Sequence, residues 1–92
     1  MPSIARNGDL NSHGGGAIKS TAKTVFINSL LIALKGDSAF SDSQCDSNSH
    51  CNPYLTNSSL SVFCEGKQVH RYGDSRVCGA ITSTGSPNVF CG

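Results

Sequence analysis

Ile4-Ala5-Arg6-Asn7-Gly8-Asp9 returns as Ile32-Ala33-Leu34-Lys35-Gly36-Asp37 and again as Val69-His70-Arg71-Tyr72-Gly73-Asp74. Each copy opens on a β-branched apolar residue and closes on Gly-Asp. Gly tolerates positive φ and Asp can bond its own backbone, so each Gly-Asp marks a turn that reverses the chain. A second motif keeps the same phase: Val25-Phe26, Val62-Phe63 and Val89-Phe90. The intervals Asp9 to Val25 and Asp74 to Val89 are nearly equal, whereas Asp37 to Val62 is longer by about nine residues. That excess falls in the polar stretch 41–59. The segments 28–37 and 65–74 match without a gap. Three copies in phase make the repeat the organising feature of the chain.

Val-Phe-Ile in the first copy and Val-Phe-Cys in the other two are short β-prone runs flanked by turn residues. Each leads through Asn28-Ser29 or Glu65-Gly66-Lys67 into a second short apolar stretch, the pattern of a hairpin. Leu30-Leu31-Ile32-Ala33-Leu34 in isolation would pass for a helical turn capped by Ser29. Its counterpart Gly66-Lys67-Gln68-Val69 makes a poor helix, and copies within one domain share a fold, so strand is expected. The predicted fold is all-β: one domain over 1–92, a small cone of short β-hairpins with three pseudo-threefold repeats. The units run roughly 3–28, 30–65 and 67–92, with Phe26, Phe63 and Phe90 at equivalent levels.

Composition sets what such a fold needs. The chain has 92 residues, 37% of them hydrophobic, with 10 Gly and no Trp. Ordering costs roughly 1.5 kcal/mol per residue, and a chain this small buries a modest share of its surface. A staple is therefore expected. The net charge of +1 comes from scattered residues without a basic stripe, which excludes nucleic acid as a natural partner. The longest apolar run, 30–34, is too short to span a bilayer. The N-terminal stretch has no apolar segment of signal-peptide length, so the expectation is synthesis in the cytoplasm.

Five cysteines, at 45, 51, 64, 78 and 91, are an odd count for a disulfide scaffold. In the repeat alignment Cys64 and Cys91 take the place of Ile27, and free Cys behaves as a small buried hydrophobe. His13 and Cys78 share another slot, four residues after their Gly-Asp, each followed by Gly. The middle copy has Ser41 at that offset, but its insertion supplies Cys45, His50 and Cys51. His70 replaces Ala5 and Ala33. Imidazole and thiolate donors suit a closed tetrahedral zinc site, which would be structural. Gly14-Gly15-Gly16 lacks the Lys-Ser/Thr of a phosphate loop and would instead let backbone pass close to the metal. Nothing forms a nucleophile-elbow pattern, so no enzymatic activity is expected.

Taken together, Ile4–Asp9, Ser12-His13-Gly14-Gly15, Thr24–Asn28, Gly66–Asp74, Cys78-Gly79 and Gly85–Phe90 resemble the PAAR-repeat family across essentially the whole chain. That resemblance implies a cone whose broad base caps a trimeric β-helical spike and whose apex is stapled by one structural Zn²⁺ per chain. Family members sit at the tip of type VI secretion spikes or contractile phage tail spikes. The implied zinc set is three histidines and one cysteine: His13, His50, His70 and Cys78. Cys45 or Cys51 stands as an alternative to His50 or His70. Partner contact would fall to Val25, Phe26, Ile27, Val62, Phe63, Val89 and Phe90.

The implied function is mechanical: a sharpened tip that enters a target envelope at the head of the spike. The rival is an adapter carrying a non-covalently bound effector. With the chain closing at Gly92, no fused toxin domain is expected.

Overall fold

The computed structural model describes residues 2–41 and 53–92. Among the described residues six two-residue strands form three antiparallel pairs. They are β1 (Ile18–Lys19) with β4 (Ser38–Ala39), β2 (Phe26–Ile27) with β3 (Leu30–Leu31), and β5 (Phe63–Cys64) with β6 (Lys67–Gln68). No helix occurs among the described residues, and Leu30–Leu31 is strand as expected. Extents of 33 × 23 × 23 Å give one long axis and two equal short ones.

The two complete hairpins turn through two residues, Asn28-Ser29 (φ 54° and 68°) and Glu65-Gly66 (φ 52° and 81°). Positive φ at both positions is the type I′ geometry that matches strand twist. The third hairpin is assembled from the two terminal stretches. Ile4 N donates to Val89 O at 2.9 Å, as Ile32 N does to Val25 O at 3.0 Å and Val69 N to Val62 O at 3.1 Å. Cys91 N to Pro2 O at 3.1 Å and a Ser3–Phe90 bridge complete it.

Strands this short cannot make ladders of their own, so the backbone closes in rings between copies. Ala5 N donates to His70 O (3.1 Å), His70 N to Ala33 O (3.0 Å) and Ala33 N to Ala5 O (3.0 Å). Each repeat thus hands one bond to the next around the axis, satisfying buried backbone groups that two-residue strands would leave open.

Below this ring lie the Gly-Asp turns. Gly8, Gly36 and Gly73 have φ of 91°, 90° and 86°. Their amides donate to Ile18, Leu55 and Thr82 carbonyls at 2.9 Å each. The aspartates fold back on the turn: Asp9, Asp37 and Asp74 accept from the amides of Arg6, Leu34 and Arg71 at 2.6, 2.9 and 2.9 Å. In the outer copies the same carboxylates also hold Arg6 and Arg71 in ion pairs of 3.2 and 2.9 Å. The middle copy has Leu34 there, and Thr21 Oγ1 donates to Asp37 instead at 2.5 Å.

The core follows the repeat. Ile4, Ile32 and Val69 are buried together with Leu34, Ala22 and Cys91, and Val25, Ile27, Leu31, Val62, Cys64 and Val89 pack against them half-covered. Cys64 and Cys91 thus occupy the apolar position of Ile27, and burial raises both thiols. A second cluster, Ala5, Ile18, Ala33 and Leu55, fills the next level.

Candidate functional site

Two ends of the molecule carry the residues singled out in the sequence. At the hairpin end, Phe26, Phe63 and Phe90 are 58%, 60% and 50% exposed. Alternation along a strand puts them on the face opposite their buried neighbours. Valines 25, 62 and 89 sit beside them, half-buried against the core. The result is three equivalent apolar projections around one rim.

The rim is laced copy to copy. Ser59 and Ser86, buried three residues before their Val-Phe, accept from the amides of Val62 (3.0 Å) and Val89 (2.9 Å). The first copy has Ala22 at this place and no hydroxyl to offer. Glu65, from the turn of the second hairpin, reaches across and accepts from Lys23 N and Thr24 N at 3.1 Å. Those bonds hold its carboxyl below the usual range. Asn28 in the first hairpin turn accepts from Ser86 Oγ at 2.6 Å, and Ser59 Oγ donates to Gly92 O. Every turn therefore braces a loop of another copy.

At the other end three loops extend beyond the Gly-Asp turns. They are joined by a second ring: Phe40 N to Ala17 O, Val77 N to Tyr54 O and Ser12 N to Ile81 O, each 2.9 Å. This ring sets the turn bearing His13 beside the turn bearing Cys78. Both side chains are half-buried. At this end Ala39 N also donates to Pro53 O at 2.8 Å. Residues 45, 50 and 51 lie outside the described residues, and among the described ones no group of three His, Cys, Asp or Glu side chains is assembled. The donor chemistry present, imidazole from one loop and thiol from the next, suits zinc.

His70 is differently employed. It is fully buried in the layer of Ala5 and Ala33. Its Nδ1 lies 2.7 Å from Asn57 O and its Nε2 2.6 Å from Thr82 Oγ1. A carbonyl only accepts, so Nδ1 carries the proton and Nε2 accepts from the Thr82 hydroxyl. That hydroxyl in turn accepts from Arg76 Nε at 3.2 Å. Burial lowers the His70 pKa to about 4, with the Asn57 hydrogen bond acting against the shift. The imidazole is neutral and both ring nitrogens are committed.

Sequence reasoning missed Arg76, Thr82 and the two capping serines. Ser59 and Ser86 were detectable, because both stand three residues before Val-Phe in the alignment. Arg76 gave no signal, since its counterparts are Asn11 and Ala39.

A family model described as PAAR motif matches residues 7–82. No curated protein matches the chain.

Proposed function

The chain belongs to the PAAR-motif family, and on that premise we propose that it is the tip of a contractile injection machine, capping the blunt end of a trimeric β-helical spike. The observation that carries this reading is the rim of Phe26, Phe63 and Phe90, half or more exposed at equivalent places in three copies. A threefold spike ends in strand edges and apolar side chains that fray or aggregate if left bare. One chain with threefold backbone rings offers a matching surface, with Val25, Ile27, Val62 and Val89 behind the phenylalanines.

At the narrow end the level beyond the second apolar cluster is Asn11, Ala39 and Arg76, which is too polar to act as a core. A structural zinc there would tie loops that apolar packing cannot. His13 and Cys78 are its donors from the described loops, and the two remaining donors come from among Cys45, His50 and Cys51, while His70 stays in the core. Bound zinc would supply a closed crosslink contributing on the order of 10 kcal/mol to folding. The role is mechanical: a rigid point that passes the force of a contracting sheath into a target envelope, placed at the head of a phage tail or secretion spike.

The test is co-purification of the chain with a trimeric β-helical spike protein, beside elemental analysis of wild type and Cys78→Ser. One chain per trimer and one zinc per chain, reduced in the variant, support the reading. No association with the spike sinks it. Capture of a separate effector together with the spike would turn the assignment to the adapter role.

A further inference from the structure

Arg76 stands where its sister copies have Asn11 and Ala39, and it is 1% exposed. Its guanidinium reaches both the His13 loop and Thr82. Nη1 donates to Gly16 O, Nη2 to Asp9 O at 3.3 Å, and Nε to Thr82 Oγ1 at 3.2 Å. Gly16 and Asp9 bracket the loop that carries His13. Arg76 itself opens the turn that carries Cys78, where its own amide donates to Ala80 O at 2.8 Å and Gly79 N donates back to Arg76 O at 2.9 Å. One buried cation therefore grips one donor loop from inside while standing at the base of the other.

The grip is tightly fitted. Gly16 has φ 68°, and a Cβ there would collide with the Asn11 amide and press on the Arg76 guanidinium. Asn11 closes the same loop, its Oδ1 accepting from His13 N at 2.9 Å. Behind Arg76, Thr82 and His70 fix the direction of Nε, because the Thr82 hydroxyl is spent on His70 and has only its lone pairs to offer. The planar fork matters: a guanidinium holds its five N–H donors in one rigid plane, so it meets these spread acceptors without re-aiming.

We infer that Arg76, oriented through Thr82 by His70, is the positioning residue that holds the His13 loop in register with the Cys78 turn at the apex. As far as it concerns metal, this rests on the zinc reading above. As far as it concerns loop register, it stands apart.

The experiment uses the full chain, stripped of metal and titrated with Co²⁺, comparing wild type, Arg76→Met, Arg76→Lys and the core control Leu55→Ala. Amide exchange is followed at Ser12, which bridges the two turns, and at Ile32 in the hairpin end. Arg76→Met is expected to weaken Co²⁺ about 10- to 100-fold, as loss of an outer partner typically does. Its Ser12 amide should exchange at least about tenfold faster with Ile32 unchanged, because the two amides report different local openings. Arg76→Lys should recover part of the affinity, and Leu55→Ala should leave it near wild type. Wild-type affinity and an unchanged Ser12 amide in Arg76→Met overturn the inference, as does an equal loss of affinity in Leu55→Ala. If wild type binds no Co²⁺ the zinc reading fails, and Ser12 exchange alone decides: faster upholds the register role and unchanged ends it. Should Arg76→Met not fold, Thr82→Val answers by the same two readouts.

Discussion

His70 Nε2 and Thr82 Oγ1 lie 2.6 Å apart inside the core, and the hydroxyl is the donor. This polarity holds only while the imidazole is neutral. Protonation would add a second cation next to Arg76, which shares the same hydroxyl, with Asp74 the carboxylate and Arg71 the further cation acting on the ring.

The fold should therefore weaken in mild acid. Unfolded, His70 takes up a proton near its ordinary 6.5; folded, it resists until about 4. Between those values the unfolded state binds more protons. Stability is then complete above about pH 6.5, declines on acidification and levels off below about 4, a loss of up to about 3 kcal/mol. Urea unfolding in chelator at several pH values should trace that slope. His70→Ala, matching the sister copies, should flatten it.

Asp37→Ala should cost about 2–3 kcal/mol, because it strands the buried Leu34 amide and removes the Thr21 partner. The measurement is the midpoint of chemical denaturation. A change under about 0.5 kcal/mol, as at an ordinary surface site, would deny the turn its role.

Phe63→Ser should leave the monomer's melting temperature nearly unchanged, since the ring is 60% exposed. Binding to the spike should fall at least about tenfold, the usual scale for an interface aromatic. Half-buried Cys64, next in sequence, should also lose reactivity to alkylating reagents once the spike is bound. Equal labelling rates with and without spike would place the contact elsewhere.

Glu65→Asn should keep the hairpin, because Asn tolerates positive φ, yet leave the Lys23 and Thr24 amides without their acceptor. Faster amide exchange at both, with Val62 unaffected, is expected. The Glu65 carboxyl is held below its ordinary range first by the Thr24 amide and then by that of Lys23. This brace is therefore present above the usual glutamate pKa and is lost as pH falls through the folded value.

Zinc, if ligated by His13 and His50, should be released as pH drops below about 6, because histidine donors must be neutral. Retention of metal far into acid would point to a thiolate-dominated set drawn from Cys45, Cys51 and Cys78.

The all-β fold, the hairpins and the Gly-Asp turns were legible because each depends on residues adjacent in sequence. Gly supplies the positive φ, Asp reaches an amide three residues back, and repetition multiplies a weak local signal. The placement of Cys64 and Cys91 at Ile27's position was legible for the same reason. The phenylalanine rim follows from strand alternation.

What tertiary structure alone decided is where the copies differ. His70 is expected among the zinc donors on the sequence because it interrupts an alanine slot. In the fold that slot faces the loop carbonyl of Asn57 and the hydroxyl of Thr82, 13 and 12 residues away, which absorb both ring nitrogens. Glu65 bracing a loop 41 residues distant, and Arg76 holding Gly16 across 60, are likewise invisible in any local pattern. By itself the sequence determined the repeating unit, because turn chemistry and side-chain alternation are local. The threefold closure, and the exchange of a missing serine for a neighbour's carboxylate, were decided only when distant backbone groups had to find partners inside one small core.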